Sequence, residues 1–504
     1  RIRGQQTGGA AAMIYDVVII GAGLAGMTAA LKAIEMGKKT IVVSHGASTM
    51  QVMSGCIDLY GDDRNPWPAL RELALYNPAH PYAVVSQEEI QEALSFFIEQ
   101  MKESCPYHNQ EGFTNFRIPT AFGEERSTCL LPEGQFAGQS AAADVKSRVL
   151  VVGLKGYPDF SAELLVEGMH KRGYQGWDAA EVDLSCLQMP GEGNERVKRA
   201  GTSSRRHKGL SANSVEIAKR LEKSWQHFAE ELRGMVQGFD AVAFPAVLGL
   251  DEHLLVKRGL EKCLGVRVFE VPTIHPSLPG MRLARSLAAE LRESGGDSLQ
   301  GFPVVSADIR ERQCGSIIAN TPGRPRCVRG KNFILATGGV LGGGIFAERK
   351  GAREVVFRLP VANPGADAYM QADPHSARIA DLTAALADTH SFRAADLMAA
   401  RVAALADDAH QEQSGTPGNR RKAGSPQFTT SDSRHQISIF HAGVRVNQQL
   451  LPVDEDGTLL LENVFCAGRI LAGYDPFIEG SGAGVAVATG YKAAVEAGRL
   501  GNDE

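Results

Sequence analysis

Residues 14–26, Ile-Tyr-Asp-Val-Val-Ile-Ile-Gly-Ala-Gly-Leu-Ala-Gly, constrain the fold more than any other stretch of the chain. The apolar run predicts a strand over Ile14–Ile20 buried on both faces, as parallel strands are. Gly21, Gly23 and Gly26 follow in G-x-G-x-x-G spacing and open a helix over residues 24–36. In that pattern Gly21 permits the sharp turn, Gly23 lets backbone approach a phosphate, and Gly26 lets helix pack closely on strand. The free N–H groups and positive dipole at the helix start favour an anion. Ala25, Ala29, Ala30 and Ala33 predict close contact with a sheet, Gly37 a helix end, and residues 40–43 a second parallel strand. The strand before and the helix after turn a weak glycine signal into a specific one.

At 504 residues, 43% hydrophobic and 22% charged, the chain is sized for two soluble domains, the larger discontinuous in sequence. A net charge of −5 gives no reason to expect nucleic acid. The cysteines at 56, 105, 129, 186, 263, 314, 327 and 466 include no C-x-x-C pair, so no iron–sulfur or zinc site is expected, and a reducing compartment is. No segment approaches the roughly 20 apolar residues of a membrane span. Residues 1–12 lack the apolar core of a secretory signal and read as a disordered extension. The expected location is cytoplasmic, with any membrane association peripheral.

A second alternation of elements follows. Strands over 147–153, 239–245 and 266–271, with helices over 161–172 (capped by Asp159 or Ser161), 214–233 and 253–263, predict another parallel sheet. Residues 61–279 are therefore read as an α/β cap or substrate domain inserted into a phosphate-binding domain of 13–60, 280–345 and 436–504. That domain would hold a helix over 281–294 and strands over 303–310, 316–320 and 332–336. Residues 346–435 read as an extension of the cap. The basic stretch 191–209 and the Gly/Ser/Pro-rich stretch 410–434 read as disordered loops.

Three later segments resemble flavoproteins of the fumarate-reductase class: Met53-Ser54-Gly55-Cys56, Ile334-Leu335-Ala336-Thr337-Gly338-Gly339, and Ala467-Gly468-Arg469 running on to Asp475 and Gly480-Ser481-Gly482-Ala483-Gly484. In that class such segments approach the cofactor, and a helix after the last one, here 485–497, directs its N-terminus at the flavin. The resemblance implies an α/β fold: a Rossmann-like FAD/NAD(P)-binding-type flavin domain with an inserted cap. It implies cofactor contacts by Gly21, Gly23, Gly26, Ser54, Gly55, Thr337, Gly338, Gly468, Asp475, Ser481, Gly482 and Gly484. One element of the dinucleotide pattern is absent. Where a carboxylate about 20 residues on would hold the adenosine ribose, the chain has Ser44-His45-Gly46. Serine offers one hydrogen bond without charge assistance, so FMN is expected, with FAD the alternative.

The chain also resembles the B-subunit family of the bacterial anaerobic glycerol-3-phosphate dehydrogenases. The resemblance rests on Gly156-Tyr157-Pro158-Asp159-Phe160, on Val271-Pro272-Thr273-Ile274-His275-Pro276-Ser277 with Gly280-Met281-Arg282-Leu283, on residues 347–354, and on Gly473-Tyr474-Asp475-Pro476. It implies a catalytic pair with the A subunit of such an enzyme, and an iron–sulfur C subunit holding both at the inner face of the membrane. The implied reaction is oxidation of sn-glycerol 3-phosphate to dihydroxyacetone phosphate, with electrons passed to the quinone pool. Such a reaction needs a base, for which His275 and His441 are candidates. It needs cationic anchors for phosphate, for which Arg282, Arg349 and Arg353 are candidates. A non-catalytic, flavin-carrying or scaffold subunit relaying electrons from its partner is the alternative.

Overall fold

The computed structural model describes residues 13–46, 48–183, 213–274, 276–348, 351–362 and 439–500. The extension 1–12, the stretches 191–209 and 410–434, most of 346–435, and the candidates His275 and Arg349 lie outside the described residues.

The first strand, β1 (Ile14–Ile20), lies inside a seven-stranded sheet. The order is Asp297–Gln300, β2 (Thr40–Ser44), β1, Arg326–Leu335, Gln313–Ala319 and Val304–Arg310. β1 runs parallel to β2 and to Arg326–Leu335. The latter strand is long enough for two neighbours on its other side. Residues 326–329 pair antiparallel with Gln313–Ala319, whereas Phe333–Leu335 pair in parallel with Val464–Cys466, returning from near the end of the chain. Asn463 knits this junction, accepting from the Cys314 N–H at 2.8 Å and donating to the carbonyls of Cys314 (2.8 Å) and Lys331 (2.7 Å). The carboxyl ends of three parallel strands thus lie side by side: Ala336 N–H donates to Ile20 O at 2.9 Å, and Ala467 N–H to Leu335 O at 3.0 Å.

Helix α1 (Leu24–Glu35) covers this sheet through Ala29, Ala30 and Ala33, all fully buried. It ends in a Schellman turn: Gly37 at φ +74° donates to Ile34 O, and Lys38 N–H to Ala33 O. The last helix, Gly482–Arg499, lies along α1. A Cβ on Gly490 would sit 2.3 Å from Ala25 O, and one on Gly498 would sit 2.5 Å from Met36 Cε, so the two helices run in the same direction with backbones nearly touching. Eight residues separate Gly490 from Gly482, which carries the last helix about 12 Å beyond the start of α1 on the same side of the sheet.

A second sheet of four parallel strands has the order Arg267–Val271, Ala241–Pro245, Val149–Lys155, Trp177–Asp183. Helices Ala162–Lys171, Ser214–Leu232 and His253–Leu264 pack around it with a separate core that includes Trp177, Phe228, Phe244 and Phe269. This core starts at Ala137, not near residue 61 as the alternation suggested. Helix Gln87–Met101 buries Ile90, Leu94, Phe97 and Met101 on one stripe, and these join the core of β1 together with Trp67 and Leu70. Lys492 of the last helix donates to Val84 O at 2.6 Å and ties that block down. The helix expected over 281–294 begins a turn earlier, at Leu278, because Ser277 caps it and Pro279 suits its first turn. Along the seam between the two units, Ser277 N–H donates to Gln51 O at 2.9 Å and Gln135 Nε2 to Ser54 O at 2.7 Å.

Candidate functional site

Gly21 and Gly26 take the turn and packing roles their spacing implied. Gly21 has φ +117°, and a Cβ there would lie 2.2 Å from Ala336 O. A Cβ on Gly26 would lie 2.0 Å from Gly21 O, so both are obligatory for packing. Gly23 differs. It is the N-cap of α1, no side chain caps that end, and a Cβ there would meet nothing within 4 Å. The open face of the turn is thus the start of a helix with uncapped amides, the arrangement that receives phosphate.

Two further segments converge on this turn. Thr337 and Gly338 follow the strand that pairs with β1, and the Thr337 N lies 3.1 Å from the position a Gly21 Cβ would take. Gly468 has φ +74°; a Cβ on it would lie 2.6 Å from Ala25 Cβ, and its N–H donates to Thr489 Oγ1 at 2.8 Å. Next to it, Arg469 runs against Gly339, whose Cβ would meet Arg469 Cγ and Cζ at 3.2 Å, and its guanidinium lies 5.2 Å from the Tyr474 ring centre. Tyr474 meets His80 edge-on at 5.5 Å, and His80 stacks on Tyr82 at 5.3 Å. The Tyr82 hydroxyl in turn lies 2.4 Å from where a Gly484 Cβ would be. A continuous line of contacts therefore joins the first glycine turn to the start of the last helix.

That line carries an unusual polar inventory. Nine buried side-chain nitrogen or oxygen atoms among the described residues have no hydrogen-bond partner. Seven of them belong to it: Thr337 Oγ1, Arg469 Nη1 and Nη2, Tyr474 OH, Asp475 Oδ2, Tyr82 OH and His441 Nδ1, the last reached through the 3.4 Å bond from Gly473 N–H to His441 O. Burying such groups unpaired costs about 1–3 kcal/mol each, more for charged ones, so their concentration in one place makes this the candidate site for a polar ligand. Burial pulls the Arg469 guanidinium below its ordinary value and pushes the Tyr474 phenol up. Asp475 is fully buried, with Oδ1 engaged as the N-cap of Pro476–Glu479 by the Phe477 N–H at 2.9 Å. A surface groove of about 650 Å³ between α1, helix Gln87–Met101 and Tyr491 contains none of these residues.

Other expected residues are engaged elsewhere. Arg282 is buried in an ion pair with both oxygens of Glu270 (Nη2 to Oε1, 2.9 Å), and its Nε donates to Gly249 O at 2.8 Å. This leaves it no free fork for a phosphate. Arg353 is exposed on the hairpin Ile345–Glu348/Gly351–Glu354. Ser54 and Gly55 lie on the seam: Ser54 O accepts from Gln135, Gly55 O accepts from the Tyr107 hydroxyl, and a Gly55 Cβ would strike Pro279. Ser481 and Gly482 stand at the start of the last helix, Ser481 turned to Glu479 Oε2 at 3.0 Å and Gly482 against Pro476.

Two residues escaped the sequence reading. Arg469 stood inside a recognised segment, and an arginine within a glycine-rich strand end was the available signal. His80 had none. Its Nδ1 accepts from Tyr82 N–H at 3.0 Å, so Nε2 carries the proton and donates to Glu479 Oε2 at 3.0 Å. His80 thereby props the loop 474–481.

A family model described as FAD binding domain matches residues 16–485. Among curated relatives, the protein from Halobacterium salinarum named as the B subunit of a probable anaerobic glycerol-3-phosphate dehydrogenase is 29% identical over 97% of this chain and 99% of its own length. The protein from Vibrio cholerae named as the B subunit of an anaerobic glycerol-3-phosphate dehydrogenase is 27% identical over 95% of this chain and 96% of its own. The resemblance drawn from the motifs is borne out at this level. A solved structure of 3-ketosteroid Δ1-dehydrogenase from Sterolibacterium denitrificans aligns with 97% of this chain and 100% of its own at 13% identity and a TM-score of 0.41. Among the described residues, no helix is long and apolar enough to cross a membrane.

Proposed function

Because the chain belongs to the FAD binding domain family, we propose that it is the flavin-carrying B subunit of an anaerobic glycerol-3-phosphate dehydrogenase. In this reading it pairs with the A subunit of that enzyme, and an iron–sulfur C subunit holds both at the inner face of the membrane. Together they oxidise sn-glycerol 3-phosphate to dihydroxyacetone phosphate and pass electrons to quinone. The observation that carries the flavin part is the set of unpartnered groups on Thr337, Arg469, Tyr474 and Asp475, joined to the glycine turn through the contacts of Thr337 with Gly21 and of Gly468 with Ala25. The names of the full-length relatives supply the substrate and point to partner subunits.

The residues present fit a flavin nucleotide. The amides at Gly23 and the first turn of α1 would take phosphate. Thr337, Tyr474 and Asp475 offer hydroxyls and an acceptor oxygen to a polyhydroxyl chain, and Gly482–Gly484 bring the N-terminus of the last helix to the far end. A bound flavin supplies the two-electron acceptor for alcohol oxidation. FMN is the form proposed, since β2 ends in Ser44-His45 with no carboxylate to hold an adenosine ribose, whereas the family's description favours FAD. His441, whose buried Nδ1 has no hydrogen-bond partner, is the proposed base for the substrate's hydroxyl proton.

One observation favours the relay alternative: the anchor Arg282 is locked by Glu270, and Arg353 is exposed. Assay of the purified chain with glycerol 3-phosphate and an artificial acceptor separates the two. Turnover by the chain alone supports the enzyme reading; turnover only in the presence of the A subunit supports the relay. Chromatography of the acid-released chromophore decides the cofactor, an AMP-containing flavin overturning FMN.

A further inference from the structure

We propose that Arg469, with Thr337, Tyr474 and Asp475, forms a site for a polyol monophosphate, in which Arg469 grips the phosphate and the other three hold hydroxyls. The inference rests on the flavin reading above and goes beyond it by assigning chemistry to a residue that the motifs did not single out.

The guanidinium is the group least explained by the fold alone. Nη1 and Nη2 are both buried with no hydrogen-bond partner, although Asp475 and Glu479 are close enough to interact with it electrostatically. Asp475 presents Oδ1 to Phe477 N–H, and Glu479 is engaged by His80 and Ser481; neither carboxylate hydrogen-bonds Arg469 Nη1 or Nη2. The guanidinium lies over the Tyr474 ring, a contact that leaves its N–H donors unused. A buried planar fork with free donors is suited to the paired oxygens of a phosphate. The neighbouring unpartnered atoms complete the complement. Asp475 Oδ2 can only accept, while Thr337 Oγ1 and Tyr474 OH can donate or accept. A ligand with hydroxyls on one part and a dianion on the other satisfies all of them; a hydrocarbon, an amine or a simple dicarboxylate does not. Arg469 directly follows Gly468, which rests on the first turn of α1, and its Cζ packs against Gly339 of the neighbouring strand end.

Two ligands share this chemistry: the ribityl phosphate of FMN and glycerol 3-phosphate. The experiment compares each with its phosphate-free counterpart, using the full chain, Arg469→Met and Arg469→Lys. Apoprotein is titrated with FMN and with riboflavin by fluorescence quenching, and flavin-loaded protein with glycerol 3-phosphate and with glycerol by visible difference spectra. In the native chain the phosphate-bearing ligand of at least one pair should bind roughly tenfold to a hundredfold more tightly. Arg469→Met should collapse that preference toward unity while leaving the phosphate-free ligand within about twofold, and Lys should restore part of it. Collapse of the FMN/riboflavin ratio identifies the cofactor as the source; collapse of the glycerol 3-phosphate/glycerol ratio identifies the substrate. Unchanged ratios in both pairs overturn the proposal. Should Arg469→Met fail to fold, as judged by circular dichroism, protection of native apoprotein against heating by inorganic phosphate decides. Protection that Arg469→Lys weakens supports the site, and no protection overturns it. If the FMN ratio collapses yet glycerol 3-phosphate is not oxidised even with the A subunit present, the assigned activity fails and the phosphate site stands.

Discussion

The two sheets of this protein, one mixed and one wholly parallel, treat polar groups in opposite ways. In the second unit the charged groups around the sheet are closed on one another. Arg282 meets Glu270 and Gly249 O, Lys257 meets Glu133 at 2.8 Å and Glu261 at 3.0 Å, and Glu222 accepts the N–H groups of Leu250, Asp251 and Glu252 at 2.6–2.9 Å. Its one unpartnered buried atom among the described residues is the Trp177 indole nitrogen. In the first unit, an equally buried set at the strand ends is left open. Buried polar groups are ordinarily satisfied, so the closed set reads as architecture and the open set as a binding site. A buried arginine, by itself, distinguishes neither.

The largest effect should come from the packing glycines that hold the open set in place. Gly26→Val or Gly21→Ala forces a side chain into a carbonyl about 2 Å away, at Gly21 with added strain from φ +117°. Loss of the folded first unit, or of its flavin, is expected by circular dichroism and visible absorbance. Gly23→Ala, whose Cβ meets nothing, should keep the thermal midpoint within about 1 °C and weaken flavin binding. A destabilised Gly23→Ala would mean that the open face is not a ligand face.

Next is the closed set. Arg282→Met leaves Glu270 buried and uncompensated, and should cost about 3–5 kcal/mol by urea denaturation. The double variant with Glu270→Gln should recover part of that loss. A stable Arg282→Met whose only defect is weaker phosphate-ligand binding would return Arg282 to the anchor role read from the sequence.

The same unit should be acid-sensitive. Burial first, then the nearby Arg282 charge, press the His253 imidazole down to about 2 from its ordinary 6.5. The folded state therefore binds fewer protons than the unfolded one below pH 6.5, and stability falls as pH drops through that range. Between pH 6.5 and 5 the loss should be about 2 kcal/mol, and His253→Gln should flatten it. Glu133 enters only lower. Burial raises its carboxyl but is outweighed by His108 and Lys257, which hold it at about 2, so its contribution is present above pH 4.5 and lost below it. An acid limb unchanged in His253→Gln would remove this account.

How much of this could be read beforehand follows the range of the interactions. The β1–turn–α1 unit was legible because strand, glycines and helix start are contiguous, although the neighbour that excludes a side chain at Gly21 is the distant Ala336. The second parallel sheet was legible from alternation alone. The inserted unit's starting point was not, because helix Gln87–Met101 declares an apolar stripe but not which core receives it. The ion pair of Arg282 was not legible for the same reason: its partner Glu270 comes from an adjoining strand, and composition cannot tell a closed fork from an open one. His80 and Glu479 are 399 residues apart, and nothing in either local stretch signals the pair.

The finest test of the comparison uses two tyrosines. Tyr174 is buried in the second unit with its hydroxyl donating to Ala142 O at 2.7 Å, and also meeting Glu125. Tyr474 is buried in the first unit with its hydroxyl unpartnered. Tyr174→Phe removes a hydrogen bond and strands an acceptor, and should cost about 1 kcal/mol with no change in ligand binding. Tyr474→Phe removes a group that has nothing to lose in the ligand-free chain, so apoprotein stability should hold or rise slightly while affinity for the bound flavin or substrate falls about fivefold to tenfold. Paired urea denaturation and flavin titration of the two variants give four numbers, and the prediction is that they cross: one variant loses stability and keeps binding, the other does the reverse. If Tyr474→Phe instead destabilises the apoprotein as much as Tyr174→Phe does, its hydroxyl has a partner within the chain, and the open set shrinks by the member over which Arg469 lies.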